Sequence, residues 1–285
     1  YTQIIQISDD MQVTATVTLT AYGPNYYAYP KWTTTGLTSW WTLASFETAT
    51  CANGVADSHG SNPGTISGDP SAGTHADFDI AATRRFLVFD GAGDYIDLGD
   101  ITALDSAAAW TLGFRFRPDN ISGQPLLSRY TSADANKQFL LEVTDTATIK
   151  FTYATDGSGA TATVETEGTV TADAWHTLLV THNTSSTPKT HIYLNGVDQT
   201  LTTVGTVPTT LRSVSGNVYI ARNEADSTVY SGDIYDVAYW STAELSSAEA
   251  TAWHTDARTD RIVSGLCRIP GSLSTAVPNN RTMET

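Results

Sequence analysis

The stretch Trp110-Thr111-Leu112-Gly113-Phe114-Arg115-Phe116-Arg117-Pro118 sets Trp110, Leu112, Phe114 and Phe116 against Thr111, Gly113, Arg115 and Arg117. A period of two sends successive side chains to opposite faces of an extended chain. The stretch is therefore expected to form a half-buried strand whose arginines face water or a partner. Pro118 has no N–H to donate and ends it.

The same signal returns on both sides of this segment. Val13, Ala15, Val17 and Leu19 alternate with Thr14, Thr16, Thr18 and Thr20. Shorter apolar or alternating runs occupy 86–89, 139–143, 149–153, 176–181, 191–194, 218–221 and 234–240. Asn195-Gly196 stands between two such runs, and because both central residues of a tight hairpin turn take positive φ, that dipeptide predicts a hairpin. Helical signals are confined to residues 246 to about 256, where Ser246 and Glu249 have capping-box spacing and Ala250 and Trp253 share one side. Many antiparallel strands with little helix predict an all-β fold, a two-sheet sandwich or a barrel.

Composition narrows the function classes. With 15 Lys+Arg against 30 Asp+Glu the 285-residue chain carries a formal charge of −15. Its four lysines, Lys31, Lys137, Lys150 and Lys189, supply no basic track for a phosphate backbone, so nucleic acid is not an expected partner. No apolar run approaches the roughly 18 residues of a membrane-spanning helix, so membrane insertion is not expected either. Threonine, serine, glycine and asparagine are plentiful, which suits hydroxyl-covered strand faces and polar turns of the kind common outside cells and on virus particles. Cys51 and Cys267 are the only cysteines; they are either bridged, closing a long loop, or two separate thiols. The ends differ from the middle. Residues 1–37 join a strand to an aromatic run (Tyr22, Tyr26, Tyr27, Tyr29, Trp32), and residues 257–285 read as an extended arm, leaving 38–256 as the main domain.

The motif Phe89-Asp90-Gly91-Ala92-Gly93-Asp94-Tyr95-Ile96 resembles a signature of laminin-G-like, concanavalin-A-like jelly rolls. Further matches follow in the family's order. They are Trp40 to Ala44, Asp57-Ser58-His59-Gly60-Ser61-Asn62-Pro63-Gly64-Thr65, Trp175-His176-Thr177-Leu178-Leu179-Val180-Thr181, Tyr193-Leu194-Asn195-Gly196-Val197, Gly232 to Val237 and Leu245 to Glu249. The resemblance covers about 38–256. It implies a two-sheet antiparallel jelly-roll sandwich with ligand loops along one rim and, often, a bound Ca²⁺. Tyr235 and Ala44 stand where the family usually has acids.

Candidate functional residues follow from chemistry. Hard cations take several oxygen ligands from loops, which points to Asp57, Asn62, Asp90, Asp94, Asp97 and Asp236 as a possible Ca²⁺ set; the same residue types also cap turns. Sugars stack on exposed rings, which nominates Trp32, Tyr130, Tyr230 and Trp240. Glu165 and Glu167 lack the setting of a glycosidase pair and read as solvated, His176 reads as a packed histidine, and no G-x-S-x-G elbow occurs. The expected function is a non-enzymatic binding or adhesion module on an extracellular or virion surface, taking carbohydrate or protein through rim loops. A structural decoration or appendage protein, tied to neighbouring subunits by 1–37 and 257–285, is the alternative; a glycoside-active enzyme is the third reading.

Overall fold

The structure is a computed structural model that describes residues 5–8, 11–13, 33–43, 54–75 and 84–259. Cys51, Cys267, Trp32 and the alternating run 14–20 lie outside the described residues. The chain divides into two compact units, Tyr1–Tyr29 with Arg261–Thr285, and Pro30–Asp260. Within the first, β1 (Ile5–Ser8) and β2 (Met11–Val13) pair antiparallel.

The second unit opens with β3 (Leu37–Thr42), β4 (Thr65–Ser67), β5 (Ser71–His75), β6 (Arg84–Asp90) and β7 (Tyr95–Asp97). Next come β8 (Ala109–Pro118), β9 (Gln124–Arg129), β10 (Phe139–Val143), β11 (Thr148–Ala154), β12 (Thr161–Thr169) and β13 (His176–Asn183). It closes with β14 (Thr190–Leu194), β15 (Val197–Asp198), β16 (Leu201–Val204), β17 (Tyr219–Ile220), β18 (Arg222–Asn223), β19 (Thr228–Val229), β20 (Ser231–Trp240) and a helix, α1 (Ser247–Thr259). One sheet runs β16-β12-β11-β10-β9-β17-β7-β4. The other runs β15-β14-β13-β8-β20-β6-β5, with β3 also paired to β20. The two stack as an antiparallel sandwich around one apolar cluster that includes Trp110, Leu112, Phe114 and Phe116 of β8 and Leu141, Phe151 and Val164 of the facing sheet. Asn195, at φ 53°, and Gly196, at φ 79°, make the expected hairpin turn between β14 and β15. Among the described residues no helix is long and apolar enough to cross a membrane.

The expectation that the β8 arginines face water is corrected for Arg115. Thr111, Gly113 and Arg115 do point away from the core, but α1 and the segment before it cover that face. Arg115 is 2% exposed; its Nη1 lies 2.5 Å from Asp236 Oδ2, its Nη2 donates to the Trp253 carbonyl, and its guanidinium stacks 4.1 Å from the Trp253 ring centroid. Trp253 in turn meets Trp240 edge-on at 5.9 Å. Gly113 makes room for both, since a Cβ there would sit 3.1 Å from Trp253 and 3.2 Å from Trp240. Arg117, further out, pairs with buried Asp233.

Asp236 reaches Arg115 because β20 is irregular between Ile234 and Asp236. Ile234 lies opposite Phe116 and packs in the core; strict alternation would turn Asp236 the same way, and the extra residue reverses it. Trp40 Nε1 also donates to the Asp236 carboxylate, at 3.1 Å. Removing one partner of such a buried pair leaves an uncompensated charge, at a cost of roughly 3–5 kcal/mol, whereas replacing both by apolar groups is often neutral. Urea unfolding should therefore show Asp236→Ala destabilised by about that amount, with the double variant Arg115→Met/Asp236→Leu recovering most of the loss.

Candidate functional site

The acidic residues singled out in the sequence go to three different tasks. Asp236 is the buried partner of Arg115 and Trp40, which corrects its assignment as a metal ligand: its oxygens are spent inside the fold. Asp57 is a loop organiser. Its Oδ1 accepts from the backbone N–H groups of Trp40, His59 and Gly60, and its Oδ2 from that of Asn62. Burial pushes its pKa up, but these amides outweigh burial and hold the carboxyl below the usual carboxylate range. Asn62 donates from its side chain to Ser39 Oγ at 2.8 Å, and its carbonyl accepts from Trp41 Nε1. Both residues clip the 55–64 loop onto β3. Asp97 accepts from the Gly99 amide and from Asn217 Nδ2.

Asp90 and Asp94 do meet, and Asp69 joins them, a residue the motif reading missed. Each offers one carboxylate oxygen, and these lie within 4.8 Å of one another. The three converge because Asp94 Oδ1 accepts from the Asp69 amide at 2.9 Å and Oδ2 from the Asp90 amide at 3.1 Å, gathering the loop before β5 and the turn after β6 around one side chain. Gly68, at φ 81°, permits the approach, since a Cβ there would fall 2.2 Å from Asp94 Oδ1. Asp94 is 2% exposed while Asp69 and Asp90 are open to solvent. Its pKa is raised, by burial first and then by the neighbouring Asp90 and Asp69 charges, against the opposing pull of the two amides. Three hard oxygen donors crowded at one loop junction, with charge that no described cation offsets, fit a divalent ion of the oxygen-seeking kind.

Immediately after Asp94, β7 begins with Tyr95, which faces away from the core because Ile96 faces into it. Tyr95 meets Tyr219 edge-on at 5.8 Å, and the Arg222 guanidinium lies over both rings, at 4.4 and 5.2 Å. The sequence-nominated aromatics fare differently. Tyr230 and Trp240 are fully buried, Tyr230 against Phe89 and Trp240 against Trp253, with its Nε1 donating to the Thr33 carbonyl; this corrects their assignment as exposed sugar platforms. Tyr130 is half-buried, with Lys137 Nζ 5.0 Å from its ring. Glu165 accepts a hydrogen bond from Thr148 Oγ1 and so serves its own sheet.

The model of the concanavalin A-like lectin/glucanases superfamily matches residues 90–251. The chain belongs to that superfamily. No match is found among curated proteins. Domain 4 of an extracellular arabinanase from Geobacillus stearothermophilus, solved with arabinotriose, is similar in structure at a TM-score of 0.56 and 15% identity, over 76% of this chain and 98% of that one. The receptor-binding domain of botulinum neurotoxin type G aligns at 0.53 and 12% identity, over 77% of this chain and 51% of its own length. A Trypanosoma rangeli sialidase variant displaying trans-sialidase activity aligns at 0.51 and 15% identity, over 77% of this chain and 32% of that one. This chain thus spans about half of the toxin domain and a third of the sialidase. At these identities the likeness is one of fold.

The histidines of the sandwich are packing groups. His176 Nε2 meets the Thr171 carbonyl at 3.1 Å, and Nδ1 accepts from Asn195 Nδ2, whose amide oxygen takes the Thr177 N–H and so fixes the hairpin turn. His182 stacks on Trp110 at 5.4 Å and bonds Thr190 Oγ1 and the Thr209 carbonyl. Burial lowers both pKa values, with the Thr171 and Asn195 bonds opposing it for His176 and the Thr209 bond for His182. Both imidazoles are neutral when folded, and protonating His176 would set two donors against each other at Asn195. The sign follows: below the ordinary histidine value of 6.5 the unfolded chain binds more protons than the folded one. The thermal midpoint should be level above pH 6.5 and fall as pH drops below it, and the double variant His176→Gln/His182→Gln should flatten that slope.

Proposed function

We propose that this sandwich is a non-catalytic carbohydrate-binding module of an extracellular or virion surface, which engages sugar at the Asp69–Asp90–Asp94 junction. The observation that carries the reading is the placement of three converging carboxylates directly before the Tyr95–Tyr219–Arg222 group. Ca²⁺ held by Asp69, Asp90 and Asp94 would supply positive charge and open coordination positions for sugar hydroxyls. Arg222 presents fixed donors, and the half-buried Tyr95, backed by buried Tyr219, presents apolar surface. The arabinotriose complex of the arabinanase domain, which is matched over 98% of its length, gives the same fold precedent for a sugar ligand; the botulinum type C and type DC proteins, matched over about half their length, interact with gangliosides and with synaptotagmin II respectively. A binding role also agrees with the described core carboxylates: Asp233 and Asp236 are neutralised by arginines rather than poised as an acid and a base.

Calcium should raise the thermal midpoint of the wild type and leave that of Asp94→Asn unmoved. At calcium one hundred times its Kd the expected stabilisation is about 2.7 kcal/mol. Calorimetric titration with arabinotriose and with a ganglioside oligosaccharide should then show a calcium-dependent binding step that chelator abolishes and that Tyr95→Ala weakens about tenfold, or ~1.4 kcal/mol. Steady product release from either glycan, or glycan-induced shifts of the Tyr95 amide indifferent to both chelator and Asp94→Asn, would overturn the reading.

A second reading, a decoration or appendage component joined to neighbouring subunits through the chain ends, draws support from the grouping of Tyr1–Tyr29 with Arg261–Thr285 as a unit apart from the sandwich. Deleting both segments should then abolish co-sedimentation with the assembly while the sandwich keeps its melting transition.

A further inference from the structure

At the sandwich edge formed by β16 and by β14–β15, the chain crosses from one sheet to the other through Gln199 and Thr200. Register decides what overhangs that edge. Thr203 lies opposite Val164 and Leu201 opposite Thr166, both of which face inward and are buried, so Leu201 and Thr203 turn inward while Thr202 and Val204 turn out. Across from them stands Thr190, whose hydroxyl bonds Tyr153 OH at 2.7 Å and His182 Nδ1 at 3.3 Å, a polar patch in an otherwise apolar interior. Between the two edges lies a groove of about 320 Å³.

Its lining selects a ligand class. Leu201, Val207 and Pro188 supply apolar wall over the buried Val164 and Thr190, while Thr200, Thr203 and Gln199 supply hydroxyl and amide groups able to donate and accept. The charged groups are matched inside the protein: Lys189 Nζ donates to the Val207 carbonyl at 3.2 Å, and His191 Nδ1 sits 3.0 Å from Asp198 Oδ2. An anionic ligand finds no free cation here, and a wholly apolar one would strand the hydroxyls without partners. The volume lies at the small end of ligand sites. We infer that this groove binds a single neutral saccharide ring, with the C–H face of the sugar on Pro188, Leu201 and Val207 and its hydroxyls on Thr200, Thr203 and Asp198. It extends the carbohydrate reading to a second place in the fold, one that needs no metal, and it stands or falls separately from the Asp94 junction.

Amide chemical shifts of the full chain, titrated in chelator with glucose, galactose, mannose and arabinose in turn, test it. At least one sugar should give saturable shifts at Thr190 and across 199–204. Thr203→Phe, which fills the groove from a solvent-exposed edge position, should abolish them, Asp198→Asn should raise Kd about tenfold, and Asp94→Asn should leave them unchanged. The melting transition of each variant shows that the fold is kept. Shifts absent from 199–204 for all four sugars, shifts that survive both groove variants, or a response to glucuronic acid alone would overturn the proposal. In a parallel titration with calcium, shifts confined to residues 90–95 would overturn it while leaving the proposed function intact.

Discussion

The sandwich rests on a charge that cannot reach water. Arg115 sits mid-strand in β8, between β13 and β20, and its guanidinium lies under α1 against Asp236 and the Trp253 ring. An ion pair in such a place stabilises little by itself, because desolvating both ions offsets their attraction. Its effect is on arrangement. Only with the β20 irregularity in place does Asp236 face the arginine, and only with the helix docked does Arg115 Nη2 find the Trp253 carbonyl. Mispaired β20 would leave a buried charge alone and an undocked helix would strip Arg115 of its Trp253 contacts, so competing packings are penalised more heavily than the native one is rewarded.

With one sheet face closed by the core and the outer face of β8 and β20 closed by α1, the sandwich leaves function to its loops and edges. The Asp94 junction ties the loop before β5 to the turn after β6, both at ends of strands that the central pair holds in register. The groove lies at the opposite end of the strand order, where β16 and β15 have no further partner. Neither place bears on the Arg115 pair, so substitutions there leave untouched the constraint that sets the fold.

Much of the fold was legible because period-two alternation is a local property. The strands at 110–118, 139–143 and 149–153 and the Asn195-Gly196 turn all appear as the pattern predicts. Gln124–Arg129 shows where that logic stops: all six of its residues are buried, with no polar face to betray a strand, since Ser128 bonds the Arg222 carbonyl and Arg129 is held by Asp100, Asp105 and three carbonyls. The site was half legible. Asp90 and Asp94 share a turn and a motif, but Asp69 lies 25 positions before Asp94 and is brought to it only by a backbone hydrogen bond. Trp240 and Tyr230 misled for the converse reason. Aromatic residues near strand ends suggest platforms, and only tertiary packing, through Trp253 and Phe89, shows them covered.

Asp57 and Asp94 make the sharpest contrast in the molecule, because the two begin alike. Each is an acidic residue in a glycine-rich loop, and each gathers backbone amides around its carboxylate. Asp57 receives four such bonds and has no second acid beside it, so the amides prevail and its charge is fully satisfied by the chain. Asp94 receives two and is set against Asp69 and Asp90, so burial and repulsion prevail and its charge remains costly. A carboxylate in the first condition has finished its work once the loop is closed. One in the second keeps an unmet charge that a divalent cation would offset, and that difference, rather than residue type or motif, sets the Asp94 junction apart from the turn that Asp57 closes.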